Sequence, residues 1–66
     1  MSNAELKKRV IGKIKQARAD GRTFSELEEE FPYGVSVHMI CDLLNAKALP
    51  IEVWEMADSV MTRIGY

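Results

Sequence analysis

The chain has 66 residues, of which 47% are hydrophobic and 29% are charged, and its formal net charge is −1. This composition is typical of a small globular domain and excludes a disordered tail. A single cysteine excludes an intramolecular disulfide, so the fold must depend on its apolar residues or on self-association. No apolar run approaches the roughly 20 residues that span a bilayer, and no signal peptide opens the chain. We therefore expect one cytoplasmic domain, residues 1–66, with no membrane partner.

Charge is divided unevenly along the chain. Residues 1–22 hold seven basic residues against two acidic ones, a formal charge of +5. Residues 23–66 hold two basic residues against eight acidic ones, a formal charge of −6. Such a basic segment can indicate contact with nucleic acid or with an acidic protein, whereas a solvated helix face is the simpler interpretation.

The first predicted helix runs from about Ala4 to Asp20. Ser2 and Glu5 have the spacing of a capping box at its start. Gly21 ends the helix, because glycine takes the left-handed conformation without a steric clash. The apolar residues that recur at three- and four-residue steps, and should form one buried stripe, are Leu6, Val10, Ile11, Ile14 and Ala17.

A second capping box, formed by Thr23 and Glu26, predicts a short helix over residues 24–30. The glutamates at positions 28–30 are expected to face water. Pro32 disfavours helical geometry at the residue before it and so ends the helix. The side chains spaced for burial are Phe24, Leu27 and Phe31.

A third helix is predicted from Val37 to about Ala46, after a turn at residues 32–34 and an N-cap at Ser36. His38 and Asp42 lie together on its polar side. Simple periodicity places on its apolar side Val37, Ile40, Cys41 and Leu44.

The fourth predicted helix opens at Pro50, because proline suits the first helical turn, and it stops at Gly65. Trp54 and Met61 should lie along the edge of its apolar stripe, and Asp58 should face solvent. The centre of the stripe is expected to be Val53, Ala57, Val60 and Ile64. Four helical segments without any alternating period-two segment predict an all-α, four-helix domain.

The stretch from Thr23 to Pro50 carries a further pattern. A glycine in the turn is followed by a small hydrophobe and a serine, then by aliphatic residues four and seven positions after the serine, and finally by Asn and Pro. The matching residues are Gly34, Val35, Ser36, Ile40, Leu43, Asn45 and Pro50. In this spacing the chain resembles the lambda-repressor-like (Cro/repressor) helix-turn-helix family over nearly its whole length. It departs from that family where Pro32-Tyr33 lengthens the turn, and where Glu28 stands in place of a usual alanine.

The resemblance implies that the third helix is a recognition helix and that the chain is a DNA-binding transcription regulator of phage or bacterial type, acting on double-stranded DNA as a dimer or with a protein partner. No Arg, Lys, Asn or Gln, the usual readers of base edges, occupies the outward positions of that helix. Asp42 would be repelled by phosphates, so we expect weak binding by a single chain. The residues able to reach a duplex are Arg22, Thr23, Ser36, Val37, His38, Cys41, Asn45 and Lys47.

The same register leaves a second function open. It buries Ile40 and Leu43 but leaves Val37, Cys41 and Leu44 partly exposed, and a contiguous apolar patch is typical of an interface. The chain would then be a protein interaction or self-associating module on a helix-turn-helix scaffold, without direct DNA readout. Simple periodicity instead places these three residues in the core, and the sequence does not decide between the two.

We expect no enzyme activity, cofactor or metal. His38 and Cys41 are three residues apart with Asp42 adjacent, an arrangement able in principle to activate a thiolate or begin a metal site. A catalytic pair also needs an orienting group and an oxyanion donor, and the sequence has no second histidine and no glycine-rich loop.

Overall fold

A computed structural model describes residues 2–66, which contain four helices and no strand. Met1, the first residue of the expected domain, lies outside the described residues. The helices are α1 (Asn3–Ala19), α2 (Phe24–Glu30), α3 (Val37–Leu44) and α4 (Ile51–Arg63). The predicted all-α class and four helices are therefore confirmed for this part of the chain.

The helix bounds differ slightly from the predicted ones. Helix α1 begins and ends one residue earlier than expected, and α3 ends at Leu44 instead of about Ala46. Pro50 is the N-cap of α4 rather than its first residue, and no side-chain hydrogen bond caps that end. These shifts are small because the capping signals lie within one residue of each observed end.

Side-chain oxygens cap three of the four helix starts. Ser2 Oγ accepts the Glu5 N–H at 3.2 Å, although only the Thr23 and Glu26 pair forms the full reciprocal capping box within residues 2–66. Ser36 Oγ accepts a backbone N–H in the first turn of α3 at 3.3 Å. Each bond satisfies a donor that has no partner inside the helix, so these polar residues determine where the helices begin.

Helices α1, α3 and α4 end in the same way. In each, the second residue after the cap donates its N–H to the carbonyl five residues earlier, as in a Schellman motif. The residue between them has positive φ: Gly21 at +92°, Gly65 at +110° and Ala46 at +56°. Among residues 2–66, Ala46 is the only non-glycine with positive φ. Since this conformation costs an alanine roughly 1 kcal/mol, the end of α3 carries a small strain.

All four helices contribute to one hydrophobic core. Helix α1 packs against α4 and α3, and α2 packs against α3. The buried side chains in the described part of the chain are Val10, Ile14, Ala17, Leu27, Phe31, Ile40, Leu43, Trp54, Ala57, Val60 and Met61. Trp54 and Met61 are fully buried, whereas Val53 and Ile64 are half-buried. The expected division of α4 into centre and edge is therefore wrong at these four positions.

Trp54 is the largest fully buried side chain, and its Nε1 has no hydrogen-bond partner within residues 2–66. An unpaired buried N–H costs about 1–3 kcal/mol. Burying an indole ring removes about 200 Å² of surface from water, which stabilises the fold by roughly 5 kcal/mol. The stabilisation from burying the ring is larger than the cost of the unpaired N–H, so Trp54 stabilises the α1–α4 interface through the size of its side chain.

A polar cluster on the outside of α1 and α4 is centred on Asp58. Its Oδ1 accepts hydrogen bonds from Arg9 Nε at 3.0 Å and Lys13 Nζ at 2.8 Å, and Lys13 also donates to Thr62 Oγ1 at 2.7 Å. The expectation that Asp58 faces solvent is wrong, because this half-buried carboxylate joins the two helices. The hydrogen bond from Lys13 is the main reason that the pKa of Asp58 lies below its ordinary value. The charges of Lys13 and Arg9 act in the same direction, and partial burial opposes them.

None of the helices within residues 2–66 combines the length and the apolar character needed to cross a membrane.

Candidate interface around helix α3

The turn between α2 and α3 is built by a proline and a glycine. Phe31 has extended geometry (φ −84°, ψ 155°), as the residue before Pro32 requires. The Val35 N–H donates to the Pro32 carbonyl at 3.1 Å, and Gly34 between them has φ +99°. Positive φ at the third position of a four-residue turn is typical of type II and favours glycine. Tyr33, at the second position, is fully exposed to solvent.

Glu28 joins α2 to the first turn of α3. Its Oε2 accepts the Val37 backbone N–H at 2.7 Å, and its side chain is half-buried. The expectation that Glu28 faces water is therefore wrong. The first N–H groups of a helix lack partners and carry partial positive charge, so a carboxylate there forms a strong, charge-assisted bond. This bond and the Ser36 cap fix the start of α3 relative to α2.

The outward side of α3 is polar rather than basic. The His38 side chain is 87% exposed, and its Nε2 lies 3.6 Å from Oδ2 of Asp42, one turn further along. Asn45 and Lys47 follow the helix and are exposed. Protonated His38 forms an ion pair with Asp42, so the one acidic residue on this side partly cancels the charge available to a phosphate.

The apolar residues of α3 fall into two groups. Ile40 and Leu43 are fully buried, as the helix-turn-helix spacing predicts. Val37, Cys41 and Leu44 are half-buried, so simple periodicity overestimates their burial. Of these three, only Leu44 packs against the core cluster. Met39 is likewise half-buried and does not pack against that cluster, so Val37, Met39 and Cys41 are the accessible apolar residues of this helix.

Arg22 and Thr23 precede α2, and their hydrogen bonds do not reach α3. Thr23 Oγ1 is engaged in the α2 capping box. Arg22 Nε donates to Tyr66 Oη at 3.1 Å, and Tyr66 Oη donates to Asp20 Oδ2 at 2.7 Å. We call these contacts the Tyr66 bridge. Tyr66 has no predicted role, because residues 44 positions apart carry no local signal that they touch.

Most of the basic segment is engaged with other parts of the molecule. Arg9 and Lys13 bind Asp58, and Arg18 lies 4.4 Å from the ring centroid of Phe24 and donates to the Arg22 carbonyl at 2.7 Å. In contrast, Lys8 and Lys15 are exposed and make no ion pair with any residue in the described range. The α1 surface thus offers few cations to a nucleic acid.

No group of three or more His, Cys, Asp or Glu side chains within residues 2–66 is placed to hold a metal ion. A shallow groove lies beside the α2–α3 turn, and its lining includes Phe31, Tyr33 and Val35 together with Glu28 and Glu29. The groove therefore combines apolar side chains with acidic ones.

Comparison of the chain with protein-family models, curated proteins and solved structures finds no match. Its function is therefore inferred from the arrangement of its own residues.

Proposed function

We propose that this chain is a helix-turn-helix protein of the lambda-repressor-like type, which binds double-stranded DNA weakly as a single chain and regulates transcription in a phage or bacterium. The observation that supports this most directly is how α3 is held. The side chains of Ser36 and Glu28 accept hydrogen bonds from backbone N–H groups in the first turn of α3. Ile40 and Leu43 are buried beneath the helix. His38 is left on the solvent side, where a recognition helix would meet the major groove.

The charges near α3 set the expected strength of binding. Lys47 and Arg22 are the Lys and Arg residues among the proposed contact residues. Each neutralised phosphate contributes about −0.9 to the slope of log K against log salt, so two contacts give a slope of roughly −1.8 per chain. A protein with six to ten phosphate contacts would show a slope of about −5 to −9. Binding is therefore weak, and a dimer would double the slope.

Base readout is correspondingly limited. Ser36, His38 and Asn45 are the side chains with hydrogen-bonding groups at or beside the outward face, and Ser36 Oγ already caps α3. A bidentate contact from Arg or Asn to a base is worth about 1–3 kcal/mol of discrimination. With one amide and one imidazole available per chain, discrimination between sequences is low.

Fluorescence anisotropy with a labelled mixed-sequence duplex tests this proposal. Between about 20 and about 200 mM salt, we expect weak binding whose log K falls with a slope of about −1.8 per chain. Lys47→Gln should reduce the magnitude of the slope by about 0.9, whereas Lys15→Gln on exposed α1 is the matched control and should leave it unchanged. Absence of binding at the lowest salt would refute the proposal.

A second candidate is a protein interaction module that uses the same helix. The specific observation in its favour is the combination of half-buried Val37 and Cys41 with the carboxylates of Glu28 and Asp42, an apolar and acidic surface that DNA would not favour. This candidate predicts self-association, or capture of a protein partner, in place of duplex binding.

Light scattering discriminates between the two candidates. Val37→Glu should abolish self-association through α3, while Ala4→Glu in the exposed first turn of α1 adds the same charge elsewhere and should not. Val37 is the better probe than Leu44, because Leu44 packs against the core and its replacement would also lower the stability of the fold. An assembly that Val37→Glu leaves intact would exclude this patch as the interface.

A further inference from the structure

Arg22 is held in place before any partner arrives. Its Nε–H donates to Tyr66 Oη at 3.1 Å, and its guanidinium carbon lies 5.6 Å from the centroid of the Tyr66 ring. Tyr66 is itself fixed, because it packs against the core cluster and donates its backbone N–H to the Met61 carbonyl at 2.8 Å. The Tyr66 bridge is thus anchored to the end of α4, although Arg22 belongs to the α1–α2 junction.

The Tyr66 hydroxyl also stands between two opposite charges. It accepts a hydrogen bond from Arg22 and donates one to Asp20 Oδ2 at 2.7 Å, while Asp20 Oδ1 accepts a bond from Gln16. Within residues 2–66, Arg22 makes no ion pair with Asp20 or any other carboxylate. The hydroxyl therefore occupies the place on Asp20 that the guanidinium would otherwise take.

The bridge leaves most of the guanidinium available. An arginine side chain has five N–H donors, and the bridge uses the one on Nε. The terminal N–H groups of Arg22 make no hydrogen bond inside the described part of the chain. Such a fork matches two oxygens of a phosphate, and a side chain already held in place loses less freedom when it binds.

We propose that Tyr66 is a positioning residue for DNA binding, and that its hydroxyl keeps Arg22 separated from Asp20 so that the guanidinium can contact a backbone phosphate. This inference rests on the proposed function. Without the hydroxyl, Arg22 pairs directly with Asp20 and the phosphate contact is lost. The effect is transmitted through Arg22 alone, so Tyr66 itself does not touch the duplex.

The test compares the salt dependence of duplex binding for wild-type protein, Tyr66→Phe, Arg22→Gln and the double variant. Loss of one phosphate contact reduces the magnitude of the slope by about 0.9. We expect this reduction in each single variant and no further reduction in the double variant. Tyr33→Phe is the matched control, because it removes the hydroxyl of a fully exposed tyrosine, and it should keep the wild-type slope.

A rescue variant separates positioning from a merely structural role. Adding Asp20→Asn to Tyr66→Phe removes the competing carboxylate charge and should restore the slope shown by Asp20→Asn alone. A loss of folding stability at the end of α4 would not be reversed by this change. Thermal melts followed by circular dichroism establish that each variant is folded at the assay temperature.

The unaltered protein provides a second measurement in case Tyr66→Phe does not fold. In ¹H–¹⁵N spectra, the Nε–H of Arg22 should be protected from exchange with water in the free protein and should shift on addition of duplex. A resonance that is unprotected and does not shift would overturn the inference.

The remaining outcomes are equally decisive. A wild-type slope in Tyr66→Phe or in Arg22→Gln, or additive losses in the double variant, would overturn the role of Tyr66 while leaving the proposed function in place. Absence of duplex binding by the wild-type protein would overturn both.

Discussion

The α1–α4 pair and the α2–α3 pair are stabilised by different means. Helices α1 and α4 have 17 and 13 residues, pack against each other, and supply seven of the eleven buried core residues described within 2–66, Trp54 and Met61 among them. Helices α2 and α3 have seven and eight residues, too few to be stable alone in water. They bury Leu27, Ile40 and Leu43 in the shared core, and they depend in addition on caps, on a proline–glycine turn and on the carboxylate of Glu28. The first pair supplies most of the core, and the second also holds a surface.

The two pairs also use charge differently. Opposite charges from the basic and acidic segments meet across α1 and α4 at Asp58. On α2, the carboxylate of Glu28 instead accepts a hydrogen bond from the start of α3. On α3, Asp42 remains near solvent. Some of the opposite charges of the two segments are therefore paired with each other inside the fold, and only the remaining charged groups are available to a partner.

The largest expected effect comes from removing the main side chain of the α1–α4 pair. Trp54→Ala should lower the free energy of unfolding by about 3–5 kcal/mol, because it leaves a cavity in the core. A chain of this length has a total stability of roughly 3–10 kcal/mol, so the variant should lose about a third of it or more, which urea titrations measure. Trp54→Phe is the control. It keeps a ring, removes the unpaired N–H and should lose less. Equal losses in the two variants would show that ring volume is not what stabilises this pair.

The corresponding change in the α2–α3 pair is Glu28→Ala. It leaves the half-buried Val37 N–H without its acceptor, so we expect a loss of about 1.5–3 kcal/mol and faster hydrogen exchange at Val37. Glu28→Gln keeps an acceptor oxygen and should recover part of the loss. Glu29→Gln, on the exposed side of the same helix, serves as the control and should change stability little. Unchanged exchange at Val37 in Glu28→Ala would mean that the carboxylate does not hold α3.

The contrast between the pairs also shows what a sequence can predict. Caps such as Thr23, Ser36 and Gly21 act on neighbouring backbone groups, so helix starts and ends were predicted to within about two residues. The spacing of Ile40 and Leu43 after the serine likewise placed the buried side of α3 correctly. These features depend on residues only a few positions apart.

Features that depend on a distant partner were missed. Helical periodicity cannot tell which side of α4 faces α1, so it predicts Trp54 at the edge of the apolar stripe although the residue is fully buried. Glu28 lies in a run of three glutamates, where nothing in the local pattern indicates that one of them turns toward Val37. The Tyr66 bridge joins residues 44 and 46 positions apart. Which proposed contact residues act together depends on such long-range contacts.

Acidification should weaken the α1–α4 pair. The pKa of Asp58 is lowered in the folded state, mainly by its hydrogen bond from Lys13. The unfolded chain therefore takes up this proton first as pH falls. The stability from Asp58 is present above the unfolded pKa, near 4, and is lost as pH falls through the folded pKa.

Asp58→Asn measures this contribution. Because the site is partly exposed and its ion pairs are screened by solvent, this substitution should lower the free energy of unfolding by about 1 kcal/mol at neutral pH. The difference from wild type should shrink in urea titrations as pH falls below about 4, the unfolded pKa. Glu55→Gln, exposed on the same helix, should show no such convergence. A difference that persists unchanged at low pH would exclude the ion pairs as its source.

The smallest expected effect is a gain, and it lies at the end of α3. Ala46 adopts φ +56° at the position where α1 and α4 have glycine. Ala46→Gly should relieve roughly 1 kcal/mol of backbone strain. The greater freedom of glycine in the unfolded chain offsets part of this gain, so we expect a net stabilisation of about 0.5 kcal/mol in urea titrations. Ala48→Gly provides the matched control, since Ala48 is exposed and has no positive φ. There the entropic term acts alone and should destabilise the fold. If both substitutions destabilise the fold, the left-handed geometry of Ala46 carries no strain. The C-terminal end of α3 would then be as favourable as the C-terminal ends of α1 and α4.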